Sequence, residues 1–501
     1  MSGRPTPPPP GARPAPLPAV PRPRRPRRAE PDPIDRLAER HREFIAAAVH
    51  PDEIAALLES DGISDARTRA RYGCRNSFAL AEELFERVER THPEPAGPAH
   101  DPWRIGLLGC LLRGVVFALP GLAYVLGAPL LAGPRDGSGL PADTVPLLAG
   151  ALCGWMWNQG LAHRAYSWLT LGDRAACRRS LARGAPAGAL LCTAVACLAA
   201  DGDPGAVVFA AGEACYLGAA TVLLVLGRER ALLHCLLPMT AGALVALVRP
   251  VPDWAVLTLL TASLVTVVLL ALHEVAPALR ERGAADRRRR PAALLGTPGG
   301  APGQGLAAPR LSTSLPYAVF GLGTGVLVLH ATLGEVVAHG GGTAAAPAAV
   351  ALTLSMGPAE WLLYRFRSEG LAGLRSTSTP GAFRRATAVT VVQCLAGYLA
   401  TLLVLAHATA ALWPAAPDLD GVHLAGLLLL GAVLWTGLLL QSFGAVPGAA
   451  AVCCAAAAAQ TLALATHPGD PHGIGLLVHG IAAALQAGLV CGLLGRATAH
   501  R

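Results

Sequence analysis

The chain of 501 residues contains no lysine, and all 41 of its basic residues are arginine. A phosphate-binding P-loop needs a lysine after its glycines, so the sequence excludes a Walker A nucleotide site. Schiff-base chemistry and a lysine general base are excluded for the same reason. Charged residues make up only 15% of the chain, whereas ordinary soluble proteins carry about a quarter. The composition therefore excludes an ordinary soluble enzyme.

Cysteine and aromatic residues are present without the spacing that marks a site. None of the 12 cysteines belongs to a CxxC pair, and most lie in apolar stretches. Zinc would need convergent thiolates or imidazoles, and a disulfide framework belongs to small secreted domains. We therefore expect buried free thiols and no metal or cofactor. Aromatic residues make up only 5% of the chain, which provides few surfaces for stacking on sugars.

Apolar residues are in excess, at 53% of the chain, and they fall in long blocks. A membrane-spanning helix needs about 20 such residues. The blocks predict an all-α polytopic membrane protein with about twelve transmembrane helices, of which the third and fifth are short. They lie near residues 106–131, 144–166, 185–200, 205–227, 231–248, 253–274, 314–335, 345–364, 386–411, 421–442, 445–466 and 473–495.

The placement of arginine predicts the orientation of these spans. With the N-terminus inside, the cytoplasmic connections carry 21 arginines, whereas the external connections carry two, Arg135 and Arg249. This asymmetry follows the positive-inside rule, and a miscount by one span would disrupt it. We therefore expect a multi-pass plasma-membrane protein with both termini in the cytoplasm.

Two stretches of the sequence are alike at an offset of 206 residues. Trp155 aligns with Trp361, and Arg178–Arg179 aligns with Arg384–Arg385. Each stretch covers the end of a second span, a cytoplasmic loop and the start of a third span. The offset predicts two six-helix pseudo-repeats related by an axis along the membrane normal. The alternative is that tryptophan and arginine recur at any membrane interface.

The predicted organisation has five parts. Residues 1–33 are a disordered Pro- and Arg-rich tail, and residues 34–92 are a small helical cytoplasmic module. The membrane halves, 104–274 and 313–496, are joined by a cytoplasmic linker at 275–312. The tail either touches anionic lipid headgroups or is simply solvated. The module either docks a partner or caps the membrane domain.

The module shows the periodicity of amphipathic helices. Its apolar positions include Phe44, Val49 and Phe78, which this pattern places on the buried faces. Ser77 is placed to cap the last helix of the module. No catalytic group of residues stands out in this part of the chain.

Polar groups inside predicted spans are costly and mark candidate sites. Arg113 either pairs with a phosphate or carboxylate of the cargo or reaches the lipid headgroups, depending on where the first span begins. Glu213, in the middle of the fourth span, either takes up a proton from outside or bonds a neighbouring backbone. Asn158, Gln159 and Glu360 are expected to gate or bind cargo near the inner ends of their spans. Lesser candidates are Glu335, His330, Gln393 and His407.

The segment LGDRAACRRSLARG after the second span resembles a loop of the multidrug/oligosaccharidyl-lipid/polysaccharide exporter superfamily. GLAGLRSTSTPGAFRRAT in the second half is similar to the loop after span eight in that superfamily. The resemblance covers residues 104–495, and twelve spans in two halves also fit it. It implies a flippase-like, alternating-access exporter of a polysaccharide, a lipid-linked glycan or an amphiphile. The expected partners are the bilayer, that cargo and a biosynthetic protein docked on the module, with no nucleic acid.

The alternative function is that of a polytopic glycosyltransferase that uses a lipid-phosphate sugar donor. Asp201 with Asp203, and Asp418 with Asp420, form external acidic pairs that formally suit a metal. Short Asp-Gly turns are the ordinary explanation of such pairs, and no large external domain follows them. A membrane anchor displaying the module is a third interpretation, although twelve spans exceed the needs of an anchor.

Overall fold

The computed structural model describes residues 32–89, 91, 101, 103, 105–127, 144–200, 204–294, 309–339, 346–377, 379–412, 420–466, 471–496 and 499. These residues fold into helices and contain no β-strand, which confirms the all-α class. The chain divides into two compact units, residues 1–100 and residues 101–501. The predicted tail lies outside the described residues, apart from Asp32 and Pro33 at the start of the first helix.

The part of the first unit that the structure describes forms five short helices around one apolar core. They are α1 (Pro33–Arg40), α2 (Arg42–Ala47), α3 (Pro51–Ser60), α4 (Asp65–Tyr72) and α5 (Ser77–Arg87). Ile45, Ile54, Leu80 and Leu84 are completely buried between them. Arg87, at the end of α5, contacts three carboxylates and so ties α5 to the start of α1.

Two details of the predicted module are wrong. Phe44 on α2 and Phe78 on α5 are exposed, and Val49 is exposed beyond the end of α2 at Ala47. The cap of α5 is Asn76, whose side chain accepts a hydrogen bond from Ala79 N. Asparagine caps helices as well as serine does, so the adjacent Ser77 becomes the first helical residue.

The described residues of the second unit form thirteen α-helices. They are α6 (Leu107–Ala118), α7 (Gly121–Gly127), α8 (Thr144–Thr170), α9 (Arg174–Ala199), α10 (Pro204–Val225), α11 (Glu229–Ala246), α12 (Asp253–Leu294), α13 (Leu315–His339), α14 (Ala346–Ser376), α15 (Pro380–Leu412), α16 (Gly421–Ser442), α17 (Val446–Thr466) and α18 (Pro471–Leu494). We call α6–α12 the first group and α13–α18 the second group. A break beside Pro120, a residue that cannot donate a backbone hydrogen bond, separates α6 from α7.

Within the described residues, nine stretches of helix are long and apolar enough to cross a membrane, and α6 with α7 forms one of them. Many of their large apolar side chains point outwards, as at Leu198, which is 89% exposed. A surface of this kind is suited to lipid. The helices outside this set are α8, α11 and α14, which carry more polar and charged residues along their length. These three helices also supply most of the candidate site.

The predicted cytoplasmic loop after the second span is a tight turn. Gly172 adopts a left-handed conformation with φ of 76°, and Asp173 caps α9 by accepting a hydrogen bond from Ala176 N at 2.7 Å. The helix of the third predicted span is α9, and it starts at Arg174. The apolar pattern had predicted a start near residue 185. The charged residues before the apolar stretch are part of α9, because arginine and alanine are both good helix formers.

The turns that join α8 to α9 and α14 to α15 correspond in position. α8 and α14 end at Thr170 and Ser376, and α9 and α15 begin at Arg174 and Pro380, so both pairs of boundaries are 206 residues apart. The cap is also repeated, since Thr379 Oγ1 accepts a hydrogen bond from Ala382 N as Asp173 does from Ala176 N.

The buried faces of α9 and α15 follow the same offset. The equivalent buried pairs are Cys177 and Phe383, Leu181 and Thr387, Gly188 and Cys394, Cys192 and Tyr398, and Ala196 and Leu402. A shared register of burial over five turns means that the two helices present the same face to their own groups.

Helix packing within and between the two groups follows one pattern. α8–α9, α9–α10, α10–α12 and α11–α12 pack together in the first group, and α14–α15, α15–α16, α16–α18 and α17–α18 do so in the second. Between the groups, α6 packs on α14 and α8 packs on α13. We call the α6–α14 contact the first seam and the α8–α13 contact the second seam.

Candidate functional site

Two glycines allow the helices of the first seam to cross at very short range. A Cβ atom added at Gly114 would lie 2.8 Å from Gly357 N, and one added at Gly357 would lie 2.6 Å from Cys110 O. Small residues permit this approach between membrane helices. The backbones of α6 and α14 are therefore in direct contact, and any larger residue at this crossing would separate them.

A charge cluster lies beside this crossing. Arg113 on α6 forms ion pairs with Glu360 on α14 and with Glu229 at the start of α11, the latter at 2.5 Å. The Tyr364 hydroxyl also hydrogen-bonds within the cluster. The side chains of Arg113, Glu229 and Glu360 are 33%, 19% and 22% exposed. One arginine therefore links the first group to the second through mostly buried carboxylates.

Further contacts extend the first seam from this cluster towards the end of α14. The Trp103 ring stacks on Tyr364, with 6.2 Å between centroids. The Arg367 guanidinium lies 4.2 Å from the Trp103 ring centre, and the Ser368 hydroxyl donates to Asp101. The chain before α6 is thus fastened to the last turns of α14, at the end of the unit where α14 meets α15.

The second seam is closed in a similar way. A Cβ atom added at Gly321 on α13 would lie 2.9 Å from Gln159 Cγ and 3.2 Å from Trp155 Cδ1 on α8. Nearer the end of α8, His163 Nδ1 is 3.0 Å from Ser314 Oγ, and its ring stacks on Tyr317 with centroids 3.7 Å apart. Gln159 and Trp155 thus belong to a packed contact between the groups.

The remaining principal candidates lie inside the first group. Asn158 donates from Nδ2 to Gly154 O at 2.8 Å and accepts from the Thr221 hydroxyl at 3.0 Å, so both ends of its amide are used. Glu213 on α10 accepts a hydrogen bond from the Tyr124 hydroxyl on α7. Its other oxygen, Oε2, is buried without a partner. The structure therefore brings Arg113 and Glu360 together and leaves Asn158 and Glu213 apart from them.

The arginines that matched at the repeat offset lie at the starts of two helices. Arg178 and Arg179 are in the second turn of α9, and Arg384 and Arg385 are in the second turn of α15. Arg179 pairs loosely with Asp173 at 3.8 Å, and Arg178 Nε is buried without a partner. They therefore mark the ends of equivalent helices and do not line a seam.

Trp361 makes contacts different from those of Trp155. It packs against the core of the second group, and the Arg365 guanidinium lies 5.9 Å from its ring centre. The two tryptophans that matched in the sequence thus occupy different surroundings.

The lesser candidates have varied positions. His330 Nε2 is 3.0 Å from Thr461 Oγ1, whereas His407 bonds the carbonyl of Leu403 on its own helix. Gln393 is exposed on the outer face of α15. The side chain of Glu335 lies outside the described part of the chain.

Of the acidic residues proposed for a glycosyltransferase, only Asp420 is among the described residues. It caps α16 and lies 2.6 Å from the His423 ring, and the hydrogen bond from His423 N lowers the pKa of its carboxyl. Asp201, Asp203 and Asp418 lie outside the described residues. No group of three potential metal ligands occurs in the part of the chain that the structure describes.

Sequence reasoning missed several residues that the structure brings together. Glu229, Tyr364 and His163 were not among the candidates that the sequence analysis selected. An acidic residue in the first turn of a weakly apolar helix was the available signal for Glu229. A comparison with known proteins gave no match to a protein-family model or to a curated protein.

Proposed function

We propose that this chain is a transporter that works by alternating access, with twelve spans in two six-helix halves corresponding to the first and second groups. The observation that carries the proposal is the exchange symmetry of the seams. If α6 is exchanged for its counterpart α13, and α14 for its counterpart α8, the α6–α14 contact becomes the α13–α8 contact, which is the second seam. A two-fold axis running between the halves would generate this arrangement.

Equivalent helix boundaries support the duplication. One offset of 206 residues relates the turns after α8 and α14, the caps that follow them, and the buried faces of α9 and α15. Recurrence of tryptophan and arginine at a membrane interface would not require these features to share an offset. Duplicated halves with a shared central axis are common in secondary transporters. Two such halves can rock against each other along their seams.

The arginine distribution supports an orientation with both termini in the cytoplasm of a plasma-membrane protein. Under this orientation, the charge cluster and the His163–Ser314 contact lie on the cytoplasmic side. The described seam contacts then close the cytoplasmic side of the protein. We infer that the structure corresponds to the outward-facing state, in which Arg113 and Glu360 form the cytoplasmic latch.

The cargo class that fits this arrangement is an amphiphile carrying phosphate or carboxylate, such as a lipid-linked glycan or a polysaccharide precursor. An anionic headgroup arriving from the cytoplasm would compete with Glu360 and Glu229 for Arg113, since arginine binds either kind of oxyanion. Cargo binding and opening of the latch would then be one event. The N-terminal module would serve as the docking point for a biosynthetic partner that supplies the cargo.

The test combines flipping with a native thiol reporter. Proteoliposomes containing an NBD-labelled polyprenyl-diphosphate disaccharide are treated with dithionite, which bleaches the probe only in the outer leaflet. Labelling of Cys110, which is buried in the first seam, is measured with N-ethylmaleimide by peptide mass spectrometry. Glu360→Gln should lower flipping severalfold, because the closed-seam state is depleted.

The same variant should label faster at Cys110. Breaking an ion pair from one side costs about 3–5 kcal/mol when it is buried and about 0–1 kcal/mol when it is exposed. The partial exposure of this pair suggests about 1–2 kcal/mol, which corresponds to roughly a tenfold shift. Glu369→Gln is the matched control, because Glu369 pairs with Arg365 on the same helix, outside the seam.

Two results would count against the proposal separately. Wild-type protein that flips the probe no faster than empty liposomes overturns the cargo class. A Cys110 labelling rate that is equal in wild type, Glu360→Gln and Arg113→Gln overturns alternating access through the first seam.

A further inference from the structure

A polar cluster in the second group, centred on the buried His479, takes no part in either seam. His479 on α18 is only 4% exposed. Its own helix contains no Asp, Glu or Arg. Its Nε2 atom is 3.1 Å from Gln460 Nε2 on α17, and the neighbouring Thr461 is bonded to His330 on α13. Three helices thus bring two imidazoles and one amide together, with His479 buried, His330 and Gln460 half-buried and Thr461 exposed.

Two atoms of this cluster have no hydrogen-bond partner. His479 Nδ1 and Gln460 Oε1 are both buried and unpaired. An unsatisfied buried polar atom costs about 1–3 kcal/mol, so a pair of them in one place calls for an explanation. A proton bound at the Nε2 atom of His479 would give one of them, Gln460 Oε1, a donor.

We propose that His479, His330, Gln460 and Thr461 form a proton-binding site that is shared between the two imidazoles. In the neutral state the Gln460 amide donates to the Nε2 lone pair of His479, and the hydrogen of the ring lies on Nδ1. When a proton binds at Nε2, a half-turn of the amide presents Oε1 as the acceptor of the new N–H. The amide therefore satisfies Nε2 in both protonation states.

The surroundings of the cluster favour a single proton. The titratable or charged residues on α18 and on the helices around it are Tyr317, His330, Glu335, His339, Arg384, Arg385, Cys394, Tyr398, His407, His423, Cys453, Cys454, His472 and Cys491. Of these, His330 interacts electrostatically with His479. Two imidazolium ions that interact with each other would repel, so the second proton is disfavoured.

The position of the cluster suits uptake from the external side. Gln460 lies six residues before the end of α17, and His479 lies eight residues after the start of α18. At 1.5 Å per residue, these distances correspond to about 9–12 Å from the helix ends opposite the charge cluster. The site would be reached from outside in the outward-facing state.

This inference rests on the proposed function and adds a proton-sensitive balance between its two states. A protonated imidazole that has no carboxylate partner among the described side chains is costly in a dry interior. Protonation would therefore favour the state in which water reaches the cluster from outside, with the cytoplasmic seams closed. The proton leaves to the same external water, and its release would permit closure of the external side and opening of the seams.

The first measurement is protonation itself. Protein labelled with ¹⁵N-histidine is reconstituted in liposomes and followed by solid-state NMR from about pH 5 to pH 8. His479→Gln should remove one titrating imidazole. His330→Gln and Gln460→Leu should each move the midpoint of that titration, whereas His407→Gln, which alters a histidine bonded to its own helix, should not.

The second measurement is the ratio of Cys110 labelling in His479→Gln to that in wild type, which cancels the intrinsic pH dependence of the thiol. The ratio should be near one at pH 8 and severalfold higher at about pH 5.5, because the variant cannot be held outward-facing by a proton. An imidazole at 479 that keeps one protonation state throughout overturns the proton site. A titrating His479 with a ratio of one at every pH overturns its control of the two states. Failure of the proposed function is distinct, because it gives equal Cys110 labelling in Glu360→Gln and wild type.

Discussion

Substituting Gly357 by alanine should open the first seam without altering any charge. The added Cβ would lie 2.6 Å from Cys110 O and 3.1 Å from Leu111 Cα, both on the backbone of α6. Ordinary contacts of a Cβ atom begin near 3.4 Å. The two helices must therefore separate by about 0.8 Å, because no flexible side chain is available to move aside.

The energetic consequence follows from that separation. Overpacking of this kind costs about 1–3 kcal/mol, and a gap of this size removes about a quarter to a half of each neighbouring dispersion contact. Glu360 follows Gly357 by three residues on α14, and Arg113 precedes Gly114, so the ion pair is stretched by the same movement. If the methyl group fits in the open seam, destabilising the closed state by about 1.4 kcal/mol should raise the population of the open state roughly tenfold.

The assay is the rate at which Cys110 is labelled in the reconstituted protein. Gly109→Ala is the matched control. Gly109 lies on α6 beside Cys110, and a Cβ atom added there meets open space. Cys177 and Cys394, which are buried away from the seam, report whether the helices remain packed. An unchanged Cys110 rate in Gly357→Ala would refute the close crossing. An equal increase at all three thiols would also refute the argument, because it would mean general loss of packing.

Two further predictions concern carboxylates. Arg87 holds the pKa of Asp32 below its usual range, so this contact stabilises the first unit above about pH 4 and is lost as the pH falls through the lowered value. Hydrogen exchange of α1 and α5, corrected for intrinsic rates, should accelerate below about pH 4 in wild type and show no such step in Arg87→Gln. Glu213→Gln should reduce flipping of the NBD-labelled probe and leave membrane insertion unchanged, because the buried carboxyl loses its ability to exchange a proton. Gln393→Ala, at an exposed residue, serves as the control for Glu213→Gln. Equal flipping in Glu213→Gln and wild type would contradict a coupling role of Glu213.

Helix positions were predictable because they depend on local patterns. Long apolar blocks predicted the helices of the second unit, and the offset of 206 residues found from Trp155 and Trp361 also relates the ends of α8 and α14. The prediction was poor where helices carry charge, as at the start of α9, since hydropathy registers the lipid boundary and not the end of the hydrogen-bonded backbone.

The candidate site was predictable in its members but not in its pairings. Arg113 and Glu360 stood out because intramembrane charge is costly, yet the sequence gave no sign that they meet, or that Glu229 joins them. Asn158 was selected on the same grounds and proves to be hydrogen-bonded within the first group.

The sequence by itself determined the helical class, the apolar lengths of the helices and the repeated register, because each follows from residues that are close along the chain. The tertiary structure alone decided which helices cross and which polar groups meet. Gly114 meets Gly357, and His479 meets Gln460, through crossing angles and backbone distances that depend on the packing of the entire unit. Contacts between residues far apart in the chain depend on that packing, so the charge cluster and the histidine cluster became visible only in three dimensions.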